Sequence, residues 1–355
     1  MRQLGSCTRS LAPGTMYFSG NTFDDLLRRV IEKLLKSKLR AEPNKGPVSD
    51  LVGVLLRLTN PRARLSLSER RGVIFGCLGE FLWYLSKTNS LRFIEYYLPR
   101  YKHSSDDGRT VFGGYGPRLF GMRGIDQIAS VITLLKKHSD SRRAVVQLFD
   151  AGDLEPYRKD IPCTCTMQFL IRRRRLYMFT SMRSNDVYKG LPHDVFAFTM
   201  LQEMMARTLN VELGAYTHAV GSMHLYDDNR EHAQQYLREG WQEKSIMPSM
   251  PTGDPWASMR HLMRIERSLR NGGAPDASHL KLHPYWQDLV RLLQIYRHYK
   301  DDKPRAISPI LKQMSSKAYD LFIEQKKRKA DTRTSTRRPK QLLLIPVDRR
   351  VPEED

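Results

Sequence analysis

Cysteine is scarce in this chain of 355 residues: there are four, Cys7, Cys77, Cys163 and Cys165. So few, so irregularly spaced, exclude a disulfide framework, and no repeated Cys-x-x-Cys supplies the second half of a structural zinc site. No metal is expected, and a reduced, cytoplasmic setting is the expectation. Long apolar runs are also missing. No window approaches the roughly 18 apolar residues of a membrane span, and "MRQLGSCTRSLAPGTMYFSG" has no signal-peptide core, so no membrane partner is expected. Acidic residues are outnumbered, 38 against 59 Lys and Arg, for a formal charge of +21. That excess favours anionic partners. Much of it lies in "QKKRKADTRTSTRRPK", residues 325–340, which opens a basic tail or linker over 325–355. Such a tail can touch nucleic acid, but the rest of the chain does not call for that partner.

What is present is an α+β pattern without internal repeats. "FDDLLRRVIEKLLKSKL" spaces its apolar residues as an amphipathic helix, and "LVGVLLRLTNP" is a β-like run stopped by Asn60-Pro61. "RRGVIFGCLGEFLWYLSK" reads as a buried helix. "CTMQFLI" and "LYMFTSMRS" flank "RRRR" as a hairpin; "DVFAFTMLQEMMARTLN" follows as a long helix and "GAYTHAVGSMHLY" as a strand. Residues 1–15 read as a disordered extension and 16–324 as the folded unit, with a motif-bearing core over 71–240 and helical segments over 241–324.

Chemistry concentrates around Cys163. A free cysteine is most often a buried packing residue. Here Pro162 fixes the preceding backbone, and Arg183-Ser184 returns across the hairpin, where a guanidinium beside the sulfur would favour the thiolate. Cys163 and Cys165 would share a strand face, but they make only half of a zinc site. Glu80 stands in an otherwise apolar helix, where a carboxylate is costly to bury without partners.

Read together, "LGEFLWYL", "GGYGPRL", "DQI", "DSRR", "PCTCTMQF", "RSNDVYKGLPHDV" and "GSMHLY", in this order between Arg71 and Tyr226, resemble the thymidylate synthase family. The resemblance implies a large mixed sheet covered by helices and a sheet-to-sheet homodimer. It also implies a pyrimidine nucleoside monophosphate as substrate and 5,10-methylenetetrahydrofolate as co-substrate. Cys163 would add to C6 of the pyrimidine, Glu80 would organise water and proton transfer, and Tyr115 would be an active-site tyrosine. Arg183 and Ser184 would grip the phosphate, joined by Arg142 and Arg143 from the neighbouring subunit. Gln168 would stand behind the nucleophile, and His224 and Tyr226 would bind the sugar. Asp186, Trp83 and Gly190 would meet the folate. For a further phosphate ligand near the N-terminus the resemblance leaves Arg40 and Lys45 open.

Asp194 in "GLPHDV" departs from the family's asparagine. An amide both donates and accepts, matching uracil O4 and N3–H, whereas an ionised carboxylate only accepts and suits the amino group of cytosine. Asp194 can also be read as a helix N-cap. With Asp194 as base reader, the resemblance narrows to the deoxycytidylate and cytidylate 5-hydroxymethylases, acting on dCMP or CMP; the alternatives are methylation of dUMP as in thymidylate synthases and a non-catalytic, nucleic-acid-binding member of the fold. Ser184 leans toward the deoxynucleotide. Thr164 stands where methylating enzymes commonly have histidine, and Tyr101 or a neighbour replaces a tryptophan of the cavity wall. Both changes fit water, rather than hydride, completing the reaction.

Overall fold

The structure, a computed structural model, describes residues 16–43, 45–67, 73–154, 158–240, 245–275 and 281–337. Seven strands form one sheet: β1 (Tyr17–Gly20), β2 (Arg40–Ala41), β3 (Val48–Leu58), β4 (Val145–Gln147), β5 (Thr164–Arg172), β6 (Arg175–Asp186) and β7 (Glu212–Tyr226). Their spatial order is β1-β3-β7-β6-β5-β4, with β2 beside β3. β1–β3 and β6–β7 run parallel and the other neighbours antiparallel, so the sheet is mixed. The helices are α1 (Phe23–Leu35), α2 (Ile74–Leu85), α3 (Leu91–Tyr97), α4 (Tyr115–Gly121), α5 (Gln127–Lys137) and α6 (Leu191–Thr208). After β7 come α7 (Arg230–Arg238), α8 (Pro255–Arg270), α9 (Pro284–Lys300), α10 (Ile307–Lys312) and α11 (Asp320–Arg337).

The apolar spacing that marks α1 as a helix also decides how it docks. Phe23, Leu26, Leu27, Val30, Ile31 and Leu34 are buried as one stripe. Its start is fixed by a capping box, Asp25 N–H on the Thr22 hydroxyl at 3.1 Å and Thr22 N–H on the Asp25 carboxylate at 3.2 Å, a device contributing about 1 kcal/mol. Helix α2 is buried all round and packs on α6 and α3. Tyr97 of α3 lies flat against Gly79, where a Cβ would fall 2.2 Å from the tyrosine ring. Glycine is therefore required beside Glu80.

The hairpin joining β5 to β6 turns on Arg173 and Arg174, both at positive φ (49° and 56°). That geometry matches the strand twist, although glycine or asparagine adopts it more readily. Inside the core, Glu203 of α6 pairs with the wholly buried Arg64 and with Arg62 (3.0 Å), and accepts the Met250 N–H at 3.0 Å. The opposite sheet surface is less covered: Val52 is 63% exposed, Val145 43% and Phe179 38%.

Two boundaries differ from the sequence reading. The helix assigned to "DVFAFTMLQEMMARTLN" begins earlier, at Leu191 with Gly190 as its cap, because Pro192 is admissible in a first helical turn. Asp194 is thus inside that turn and is not the N-cap. The tail expected from residue 325 instead continues α11 to Arg337, with Phe322, Ile323 and Ala330 buried. The Lys326 ammonium lies over the rings of Tyr299 (4.2 Å), Phe75 (5.0 Å) and Tyr296 (5.2 Å). Cation–π attraction and apolar anchors hold a segment that composition alone marks as polar. Residues 1–15 and 338–355 lie outside the described residues.

Candidate active site

Strand register assembles the site. Ser184 pairs with Ser222 and Asp186 with His224 across β6 and β7, and Val48 of β3 pairs with Tyr226. The ends of three strands therefore meet where β5 begins, and the N-terminal turn of α6 and the middle of α2 close over them. A bulge between Thr164 and Thr166 breaks the β5–β6 ladder just beyond Cys163.

Cys163 is half-buried, with its carbonyl accepting the Arg183 N–H at 2.9 Å and its sulfur 3.7 Å from the Arg183 guanidinium. Burial pushes the thiol up to about 11, against the lowering pull of Arg183 and Lys45. The guanidinium is where the sequence reading places it, but its charge does not outweigh desolvation in the free chain. Arg183 also donates to the carbonyls of Pro162 (3.0 Å) and Ile161 (3.2 Å), which fixes the turn before the nucleophile. Tyr115 binds the next residue, its hydroxyl meeting Thr164 Oγ1 at 2.9 Å and the Thr164 N–H at 3.2 Å. The threonine in place of histidine thereby orients Tyr115.

Glu80 is 3% exposed and fully partnered. The hydroxyls of Tyr84 (3.0 Å) and Tyr101 donate to Oε1, and His193 Nδ1 lies 2.7 Å from Oε2. Burial alone would raise its pKa; the His193 hydrogen bond and charge, helped by Arg100 and Tyr101, reverse this and hold it below the usual glutamate value. Tyr101 also packs edge-on against Trp83, ring centroids 5.4 Å apart.

Asp194 is 8% exposed and accepts from Asn185 Nδ2 at 2.6 Å. Burial, reinforced by the Glu80 charge, pushes its carboxyl up to about 8 despite the Asn185 bond. The sequence reading takes this carboxyl as ionised; its enclosure in the structure favours the protonated form, which donates as well as accepts.

Other positions divide. His224 is buried edge-on to the half-buried Tyr226, ring centroids 5.1 Å apart, and burial raises the Tyr226 hydroxyl, with smaller raising effects from Asp186 and Cys163. Asp186 Oδ1 accepts the Tyr188 (2.8 Å) and Lys189 (3.0 Å) N–H groups, and Gly190 sits against the Asp186 backbone, where a Cβ would come 3.2 Å from the carbonyl oxygen. Ser184 is half-buried on β6. Trp83, placed by sequence on the folate path, is 1% exposed and backs the wall from behind. Gln168 donates to the Arg142 carbonyl at 2.9 Å, because its strand position directs it toward β4 rather than behind Cys163. Arg142 and Arg143 are exposed before β4, and among the described residues nothing in the same chain ties their side chains to the cavity. Of the two N-terminal candidates, Arg40 is taken by Asp227 and Ser49, whereas Lys45 acts on Cys163 and Asp160.

Sequence reasoning missed His193, Asn185, Arg100 and Asp160. His193 and Asn185 were visible as polar residues inside motifs otherwise fully assigned. Arg100 and Asp160 carry no local signal; only the fold brings their charges onto Glu80, Asp194 and Cys163.

A family model described as thymidylate synthase matches residues 21–254. The chain belongs to the thymidylate synthase family. Among curated proteins, the deoxyuridylate hydroxymethyltransferase of Delftia phage PhiW-14 is 32% identical over 222 residues, 59% of this chain and 60% of that protein. The deoxyuridylate hydroxymethyltransferase of Pseudomonas phage M6 is 34% identical over 198 residues, 54% of this chain and 56% of that one. The chain thus spans less than two thirds of the length of these relatives. The crystal structure of thymidylate synthase from T4 phage superposes with a TM-score of 0.56 at 21% identity, covering 70% of this chain and 96% of that one. The thymidylate synthase fold is therefore shared. No helix among the described residues is long and apolar enough to cross a membrane.

Proposed function

We propose that this thymidylate synthase family member transfers a one-carbon unit to C5 of a pyrimidine nucleoside monophosphate and releases the 5-hydroxymethyl nucleotide. The observation that carries the reading is the clustering of Cys163, Arg183, Glu80 and Asp194 at the strand ends, close enough that their charges act on one another. Cys163 sulfur bonds to C6, and the ring electron pair moves to C5, which becomes the nucleophile. Arg183 and Lys45 supply the positive charge for the phosphate. The sulfur must lose its proton to attack, and the same two cations are the ones that lower the thiol against its burial.

Methylenetetrahydrofolate would supply the one-carbon unit. The carboxylate of Asp186, its Oδ1 held by two backbone N–H groups, is an acceptor suited to the N–H donors of a pterin. Glu80, held ionised by His193 and the tyrosines, is the group that would order water and relay protons near the ring. Tyr101 in the wall, without the tryptophan of methylating enzymes, supports water as the final nucleophile.

The choice of base turns on the protonation of Asp194, whose burial favours the neutral carboxyl. A neutral carboxyl offers O–H and C=O, matching uracil O4 and N3–H as an amide does, so uracil is not excluded by an aspartate here. This supports deoxyuridylate as substrate, in line with the activity named for the two phage relatives. A second reading, cytidylate (dCMP or CMP), is favoured by the ionised form, which accepts from the cytosine amino group. The partly uncovered sheet face bearing Val52, Val145 and Phe179 supports a homodimer through which Arg142 and Arg143 would reach a neighbouring site.

The test is to incubate the protein with methylenetetrahydrofolate and, separately, dUMP, dCMP and CMP, and to weigh the products. The result expected is a gain of one hydroxymethyl group on dUMP. A methyl product would return the chain to methylation, and no turnover of any nucleotide would remove the enzymatic reading.

A further inference from the structure

Asn185 enters none of the roles assigned above, yet it is 4% exposed and touches the base-reading carboxyl. Its Nδ2 donates to Asp194 Oδ2 at 2.6 Å. Its other polar atom, Oδ1, is buried without a hydrogen-bond partner among the described residues. The amide lies beside the α6 cap, where a Cβ built on Gly190 would come 3.4 Å from its Nδ2. A buried acceptor left open carries a penalty unless something donates to it.

We propose that Asn185 and Asp194 together form the base reader: Asn185 pins Asp194 by Oδ2, leaves Oδ1 of the carboxyl to face the pyrimidine, and offers its own Oδ1 as the acceptor for a base N–H. This rests on the nucleotide reading above and deepens it. In the relatives' family pattern one amide supplies a donor and an acceptor; here the pair divides them. With the proton on Asp194, the reader presents one donor and one acceptor, which fits uracil O4 and N3–H. With the proton gone, it presents two acceptors, which match neither uracil O4 nor the unprotonated N3 of cytosine. The fixed Asn185 acceptor suits uracil N3–H and opposes the bare N3 of cytosine, so Asn185 is a specificity-determining residue.

The experiment measures dissociation constants of dUMP and dCMP for the full chain by calorimetry, without folate, at pH 6.5, for wild type, Asn185→Ala and Asn185→Ser. In wild type dUMP should bind about tenfold or more tighter than dCMP. Asn185→Ala should lose most of that preference, and Asn185→Ser, whose hydroxyl can still donate to Asp194 and accept, should regain part of it. Equal weakening of both nucleotides in both variants, with the preference intact, would overturn the base-reader role and leave Asn185 a packing residue. Should neither nucleotide bind wild type, the nucleotide reading itself fails, which is distinguishable from failure of the Asn185 role. Thermal melts of both variants separate misfolding from altered recognition, and Asn185→Ser carries the test if Asn185→Ala does not fold.

Discussion

His193 Nδ1 stands 2.7 Å from Glu80 Oε2, tying the carboxylate in the middle of α2 to the first turn of α6, one residue before Asp194. Two helices that bring separate acids to the cavity are thus joined at the acids themselves. This contact acts on both: His193 pulls Glu80 below its usual value against burial, and the Glu80 charge adds to the burial that raises Asp194.

Replacing His193 by Phe removes the main influence that holds Glu80 below its usual value, and burial then dominates. The glutamate pKa rises. The acidic limb of the kcat/KM profile should move to higher pH, and the rate at pH 7 should fall by about tenfold or more. An unmoved acidic limb would show that Glu80 does not report in the profile.

Cys163 can be followed without turnover. A thiol raised to about 11 is almost wholly protonated at neutral pH, so alkylation by iodoacetamide should be slow at pH 7 and accelerate up to and beyond pH 9. Arg183→Gln removes the largest lowering influence and should slow alkylation at pH 8 several-fold. Cys163→Ser should abolish turnover while leaving the thermal melt unchanged.

Asp194 makes stability depend on pH. Unfolded, its carboxyl ionises near 3.8; folded, near 8. Between those values the folded chain keeps a proton that the unfolded chain has lost, so this group's contribution is full below about pH 4 and is lost as pH climbs through 8. Asp194→Asn has no such proton. The stability of the variant relative to wild type should therefore grow from pH 5 to pH 8, by on the order of 3 kcal/mol at most, read as a widening difference in Tm.

The buried Arg64–Glu203 pair gives a separate test of the core. Glu203→Leu leaves Arg64 charged and enclosed, and the loss should be roughly 3–5 kcal/mol. Arg64→Met combined with Glu203→Leu should recover most of it, measured by denaturant unfolding.

Periodicity carried most of the architecture into view. Helix α2, the arginine-turned hairpin and strand β7 all lie where apolar spacing and turn residues place them, because each buries a face that the sequence marks. Cys163, Arg183, Tyr115 and Asp194 were legible for a different reason: they sit in short motifs whose order is distinctive. The ionisation of Asp194 was not. It depends on enclosure and on Glu80, more than a hundred residues earlier in the chain, and residue type says nothing of either. The same holds for Gln168, whose partner is set by which strand lies alongside, and for Lys326, a charge in a polar run that three distant rings gather in.

The flat contact of Tyr97 on Gly79 has a consequence for how this chain can diverge. Any side chain at 79 would drive α3 away from α2, and with it Tyr101, whose hydroxyl steadies the neighbouring glutamate. Lineages that abandon the glycine must shrink the tyrosine in the same step or relinquish the wall, so these two positions should drift together or not at all.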